Sequence, residues 1–243
     1  MFPNWKGAKL LAALSQNTYW MLVLRSDLNA ELGDVEAVKG LRIGAAPGPD
    51  STIRQLLVEA GIDLEKDDVD IGPVPGSTGA GVSFGVNAAK ALEEGAIDGF
   101  WANGMGSEIA VRTGIGTVVL DARRGICHPA AVHSTFPALV TSDEVIARDP
   151  ESEAAAVRAI VNVQNALKED PSRATTVGEK LFPPIEASMI TGLIERDLPF
   201  YDPGISEAKV NGMNAFAQAI GLLTEDVAYD QVVATQFSNL WTG

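Results

Sequence analysis

The chain has 243 residues, of which 46% are hydrophobic and 21% charged, and a formal net charge of −14. This is the composition of a globular protein with room for one large core or two modest ones. The acidic balance speaks against nucleic-acid binding, which leaves clustered Lys and Arg as its footprint, and no apolar run reaches the roughly 18 residues of a membrane span. One cysteine, Cys127, excludes an internal disulfide and a cysteine-rich zinc site, and two histidines leave little for a metal cluster, so neither metal nor cofactor is expected.

The opening MFPNWKGAKLLAALSQ lacks a basic region followed by an apolar one, so no intact signal peptide is expected. Lys9 to Leu14 and Tyr19 to Leu24 read as strands flanking the polar insert Ser15-Gln16-Asn17-Thr18. Such an insert either turns in solvent or faces a cleft, which makes Ser15, Gln16 and Asn17 candidate ligand contacts. After a helical turn at 35–40, the stretch 41–61 reads as a buried strand, a Pro/Gly loop at 47–49 and a helix carrying Ile53, Leu56, Leu57 and Ala60 at helical spacing, with Gly61 at C′. Asp50 or Ser51 is the expected N-cap. Two readings stand for Ser51 and Thr52: the start of a capped crossover helix, or an anion cradle of unpaired N–H groups and a positive dipole end.

Asp67 to Val74 is predicted as a strand parallel to the previous one. The glycine-rich 75–85 that follows is neither a phosphate loop nor a dinucleotide fingerprint. A helix over 87–94 leads to a strand at 96–105, whose end carries Trp101 and Asn103, where open α/β sheets bind ligands; Trp101 reads equally as a core aromatic. A helix at 107–113, a strand at 116–120, a polar loop at 121–134 with Arg123, Arg124, His128 and His133, and a strand at 135–141 come next. The arginine pair fits surface pairing better than an anion clamp. Beyond Asp143 the periodicity predicts helices over 151–168, 172–181, 184–195, 206–221 and 225–240. Between the third and fourth lies the aromatic loop 198–203, whose Tyr201 offers stacking and a hydroxyl.

In this order the segments YWMLVLRSD, VKGLRIGAAPGPDSTIRQLLVEAGID, AAKALEEGAIDGFWAN, GTVVLDAR, FPALVTSDEVIARDPE and DLPFYDPGISEAKVNGMNAFAQAIGLL span nearly the whole chain. The ordered set resembles the type II periplasmic substrate-binding proteins of ABC importers, in the branch that takes aliphatic sulfonates, taurine, nitrate and thiamine precursors. The resemblance implies an α/β, two-lobed type II periplasmic-binding-protein fold, with a first lobe at 1–25 and 135–243 and a second at 26–134. It implies a small organic ligand, a sulfonate, a carboxylate or a nitrogen heterocycle, in the cleft, held by Ser51 and Thr52, by the loop of Ser15, Gln16 and Asn17, and by Trp101 to Asn103. It also implies a membrane permease as partner, a monomeric state and a periplasmic or lipid-anchored location. Family members carry a signal peptide and a further βαβ segment ahead of the point where this chain begins, so the first lobe is expected to lack its N-terminal part. Asp50, beside Ser51 and Thr52, competes for an anion and leaves the sign of the ligand's charge open.

Enzymes share this fold, and a solute-sensing domain of a signalling system would have the same sequence features. Catalysis requires a convergent base or nucleophile, for which the candidates are His128, His133, Asp98 and Cys127. None of them sits in a triad or metal-ligand spacing, and Cys127 and His128, adjacent in an extended segment, point oppositely. A binding protein is the expectation.

Overall fold

The computed structural model describes residues 8–77 and 83–242. In chain order these form strands β1 (Ala8–Ala13), β2 (Met21–Arg25) and β3 (Arg42–Ala45), helix α1 (Pro49–Glu59), β4 (Asp70–Gly72), α2 (Phe84–Glu93), β5 (Gly99–Ala102), α3 (Gly104–Arg112), β6 (Gly116–Asp121), α4 (Pro129–Val132) and β7 (Ala138–Ser142). Helices α5 (Asp143–Arg148), α6 (Pro150–Glu169), α7 (Arg173–Leu181), α8 (Pro184–Asp197), α9 (Glu207–Ala219) and α10 (Tyr229–Val232) complete the chain. The chain divides into two compact units, one of Thr18–Val132 and one of the residues up to Asn17 with those from His133 onward.

The continuous unit is built on a five-stranded sheet of order β4-β3-β5-β2-β6. Strands β4 and β5 run parallel to β3, and β2 runs antiparallel to β5 and β6. The resemblance places Met21–Arg25 in the first lobe; instead β2 lies between two strands of this sheet, because Leu22, Val23 and Leu24 are fully buried and need cover on both faces. Side chains alternate along each strand. Leu22, Leu24, Ile43, Ala45 and Trp101 face a core completed by Ile53, Leu56 and Leu57 of α1. Val23 and Phe100 face the opposite core, completed by Ala88, Ala91 and Leu92 of α2 and Ala110 of α3. The result is a helix/sheet/helix sandwich.

Helix α1 ends as its sequence predicts: Gly61 has φ 92°, its N–H donates to Val58 O at 3.0 Å and the Ile62 N–H reaches back to Leu57 O at 2.9 Å, a Schellman arrangement. Its start differs. The N-cap is Gly48 at φ 95°, reached through the Pro/Gly loop, rather than Asp50 or Ser51, which lie inside the first turn.

In the discontinuous unit β1 pairs antiparallel with β7. The periodicity over 225–240 predicts a single helix, but the structure has α10, a break and a 3-10 turn at Thr235–Leu240. The break arises because Val233 bridges Leu10 in parallel and the Ala234 N–H donates to Leu10 O at 3.0 Å, so this segment extends the edge of β1. Buried Gln164 of α6 donates to Ala13 O and Leu14 O, both at 3.0 Å, and closes the end of the same strand.

Asp98, immediately before β5, ties the sheet together. Its carboxylate accepts from the Arg42 backbone N–H at 3.0 Å, from Arg42 Nε at 2.9 Å and from Arg25 Nη1 at 3.2 Å. The hydrogen bond from Arg42 holds this carboxyl below the usual carboxylate range against the opposing effect of burial. A group whose pKa falls on folding stabilises the fold above its unfolded value and loses that contribution as pH drops through the folded one. Asp98→Asn is therefore expected to cost about 1–2 kcal/mol in urea denaturation at pH 7, and the gap to the parent chain to shrink below about pH 4. An equal gap at both pH values would show that the charge does no stabilising.

Candidate functional site

In the continuous unit, β3, β4 and β5 are parallel, so their carboxyl ends share one edge of the sheet, and each leads toward a helix: β3 to α1, β4 to α2 and β5 to α3. Helix N-termini thus gather where open α/β sheets receive ligands. The first turns of α2 and α3 touch through their backbones. A Cβ on Gly85 would lie 2.8 Å from Gly106 N, and one on Gly106 would lie 2.7 Å from Gly85 Cα. The N-caps, Ser83 and Asn103, make no side-chain capping hydrogen bond. Two bundles of first-turn N–H groups therefore converge without side-chain acceptors at their caps, and their dipole ends add.

The start of α1 is arranged differently. Asp50 Oδ1 accepts from the Gly48 N–H at 2.9 Å while its Oδ2 lies 3.6 Å from Arg54 Nε, so a resident carboxylate answers this helix end. Ser51 donates its hydroxyl to Gly48 O at 2.5 Å, and Thr52 is buried. A cavity of about 220 Å³ opens beside this turn, lined by Ala45, Pro47, Gly48, Asp50, Arg54 and Ile71 among others. Trp101 is fully buried in the core over α1, and its Nε1 has no hydrogen-bond partner among the described residues. Asn103 is exposed at the start of α3. Of the glycine-rich stretch at 75–85, residues 78–82 lie outside the described residues.

The remaining predicted residues meet in the discontinuous unit. Gln16 is buried and spans from the end of β1 to the aromatic loop: its N–H donates to Phe200 O at 2.7 Å, and its Nε2 to Asp202 O at 2.7 Å and Gly204 O at 2.8 Å. Ser15 is buried beside it, and Asn17 follows at φ 63°, a left-handed conformation that asparagine tolerates. Gln16 thereby brings the polar insert to the backbone next to Tyr201, a pairing across nearly the whole sequence that no local signal announces. Sequence reasoning missed Lys209. This lysine of α9 is buried, donates from Nζ to Asn17 Oδ1 at 3.3 Å and sits 5.9 Å above the centre of the Phe136 ring. In sequence it is one more charge near a helix start; only the apolar neighbours Ile205 and Val210 hint at a buried face.

The polar loop after β6 corrects one expectation. Arg124 pairs with the buried Asp121 at 2.8 Å rather than on the surface, and Arg123 is buried with its guanidinium 5.6 Å from the Tyr19 ring centre, itself stacked on Trp20.

A model of the NMT1-like family matches residues 6–179. The chain belongs to the NMT1-like family. No curated protein sequence matches it. Among solved structures, the periplasmic sulfonate-binding protein SsuA of a sulfonate ABC transporter from Methylobacillus flagellatus KT is 20% identical, with a TM-score of 0.63 over 95% of this chain and 67% of that one. The alkanesulfonate-binding protein SsuA from Xanthomonas axonopodis pv. citri, bound to MOPS, is 12% identical, with a TM-score of 0.62 over 95% and 73%. The desulfurization enzyme DSZB is 17% identical, with a TM-score of 0.62 over 96% and 78%. This NMT1-like chain thus has the α/β type II periplasmic-binding-protein fold, which serves both binding proteins and an enzyme.

The groups named as catalytic candidates do not converge. Cys127 Sγ donates to the His128 carbonyl at 3.4 Å, and His128 Nδ1 accepts from the Ala130 N–H at 3.4 Å, so thiol and imidazole make no pair. Burial pushes the Cys127 thiol up to about 11, and Asp98 is held in its ion pairs. No group of three His, Cys, Asp or Glu side chains able to hold a metal occurs among the described residues. Cys127 is expected to react with iodoacetamide at pH 8 about a hundredfold more slowly in the folded NMT1-like protein than in urea, because so little of it is thiolate. Equal rates, followed by mass spectrometry, would return Cys127 to the list of nucleophiles.

Proposed function

We propose that this NMT1-like protein is the solute-binding component of an ABC importer and captures a small organic anion of the sulfonate or carboxylate class. The observation that carries the reading is the backbone contact of the first turns of α2 and α3 at Gly85 and Gly106, below N-caps without side-chain acceptors. This is a preformed anion cradle that needs no formal charge. Two of the similar structures are named as sulfonate-binding proteins, one of them bound to the sulfonate MOPS, which fits the same chemistry. Within this reading Asn103 stands at the start of α3 beside the cradle, Trp101 packs beneath α1, Ser51 and Thr52 belong to the neighbouring helix start, and Ser15, Gln16, Asn17 and Tyr201 are the candidate contacts of the discontinuous unit. The partner is a membrane permease and the location is periplasmic; no helix among the described residues is long and apolar enough to cross a membrane.

Solute capture requires no acid or base, in keeping with the unpaired placement of Cys127 and His128. A thermal-shift and calorimetric panel of alkanesulfonates, carboxylates and their uncharged analogues tests the reading. A cognate anion at a hundredfold excess over its Kd is expected to stabilise the protein by about 2.7 kcal/mol and to raise Tm by roughly 5 °C or more. Turnover of any panel member, or a flat response to every one, would overturn it.

A further inference from the structure

Lys209 makes no ion pair among the described residues. It is 91% buried, and a buried ammonium is ordinarily matched by a carboxylate, because leaving it unmatched costs several kcal/mol, roughly, even after relaxation. Among the described residues no carboxylate lies within 4.0 Å of its Nζ; its partners are the neutral amide of Asn17 and the face of Phe136. Asp202 acts on it through space, and the Asp202 Oδ1 already accepts from the Gly204 N–H at 2.9 Å. An ammonium has three protons to donate, and Asn17 takes one.

The surroundings keep this charge single. His133 lies beside α9, where a Cβ on Gly212 would come within 2.6 Å of its own Cβ. Burial and the charge of Lys209 both push the His133 imidazole down, which leaves it neutral at pH 7. Asn17, the residue that accepts from Lys209, belongs to the polar insert at the end of β1. Its left-handed backbone turns the chain at that point.

We propose that Lys209 is a specificity-determining cation of the discontinuous unit, donating to an oxyanion group of a small organic acid. The proposal rests on the solute-binding reading and deepens it, since it assigns the ligand's sign to a residue of the discontinuous unit. A bound oxyanion supplies the missing counter-charge, accepts the two unused protons and converts an uncompensated burial into an ion pair. An acidic chain of net charge −14 has little general attraction for anions, so selectivity must come from such local groups.

The test titrates the whole chain by calorimetry with hexane-1-sulfonate, hexanoate and hexan-1-ol, for the parent protein, Lys209→Met and Lys209→Arg. The parent is expected to bind at least one of the two anions at least about tenfold more tightly than the alcohol. Lys209→Met is expected to remove that preference without changing alcohol affinity, and Lys209→Arg to keep part of it. The ligand-free Tm of Lys209→Met should equal or exceed that of the parent, because an uncompensated charge is replaced by a thioether of similar shape; a purely structural lysine would instead lower it. The sulfonate and hexanoate arms separate the two acid classes. Anion affinity unchanged in Lys209→Met overturns the proposal while solute binding stands. Alcohol bound by the parent as tightly as the anions does the same, and needs no variant to fold. Failure of all three probes to bind the parent overturns both.

Discussion

The parallel pairing of β3 with β4 and with β5 is the constraint on which the rest of the continuous unit depends. Parallel neighbours must be joined by crossovers, and a crossover helix leaves from the carboxyl end of its strand. Ile43 opposite Ile71 on one side and opposite Gly99 on the other fixes the register, so α1, α2 and α3 all start at the same edge. Gly99 and Gly44 are required by that register: a Cβ at Gly99 would meet Leu24 Cδ2 at 2.4 Å, and one at Gly44 would meet Val74 Cγ2 at 2.5 Å. The opposite edge is closed by charge, with Asp98 bound to Arg42 and Arg25. The network of Asp98 with Arg42 and Arg25 therefore lies at the edge from which no α-helix starts.

Positive potential arises in each unit by different physical means. In the continuous unit the source is backbone, where converging first turns carry partial charges fixed in space and independent of pH. In the discontinuous unit it is a formal charge on Lys209, set by burial and by neutral neighbours. A helix end already answered by a carboxylate contributes less, and α1 is in that position, because Asp50 accepts the Gly48 N–H. The helix start that is most conspicuous in the sequence is thus electrostatically the most satisfied of the three.

Much of the architecture was legible because local signals agreed with the fold. The βαβ unit from β3 to β4 followed from Ile43 and Ala45 alternating with small residues, a Pro/Gly loop, the spacing of Ile53, Leu56 and Leu57, and Gly61 at a position that needs positive φ. What local signals misjudged was decided by distant partners. Met21–Arg25 reads as a strand that the resemblance places in the first lobe with β1, yet both its neighbours, β5 and β6, lie more than 70 residues further on. Val233 and Ala234 fit a helical stripe until Leu10 offers a strand edge. Arg123 reads as a surface charge and Lys209 carries no signal of its own, since nothing within a few residues announces the rings of Tyr19 and Phe136 that lie under them. The candidate site was legible where a polar insert interrupts two buried strands, at Gln16 and Asn17, and illegible where its groups are backbone N–H donors, which every residue but proline possesses.

The contact between α2 and α3 shows why glycine, and no other residue, stands at both crossing points. Two helix ends of like partial charge repel when their first turns touch, so the contact has to be secured by packing further along the helices. Ala88, Ala91, Leu92 and Ala110 supply that packing in the core beneath. The small side chains of the three alanines let the helices approach until Gly85 and Gly106 meet backbone to backbone, which any Cβ would prevent. Hydrophobic burial along the helices thus holds an electrostatically unfavourable arrangement at their tips. The packing that stabilises the sheet's second face thus also fixes the two first turns against each other.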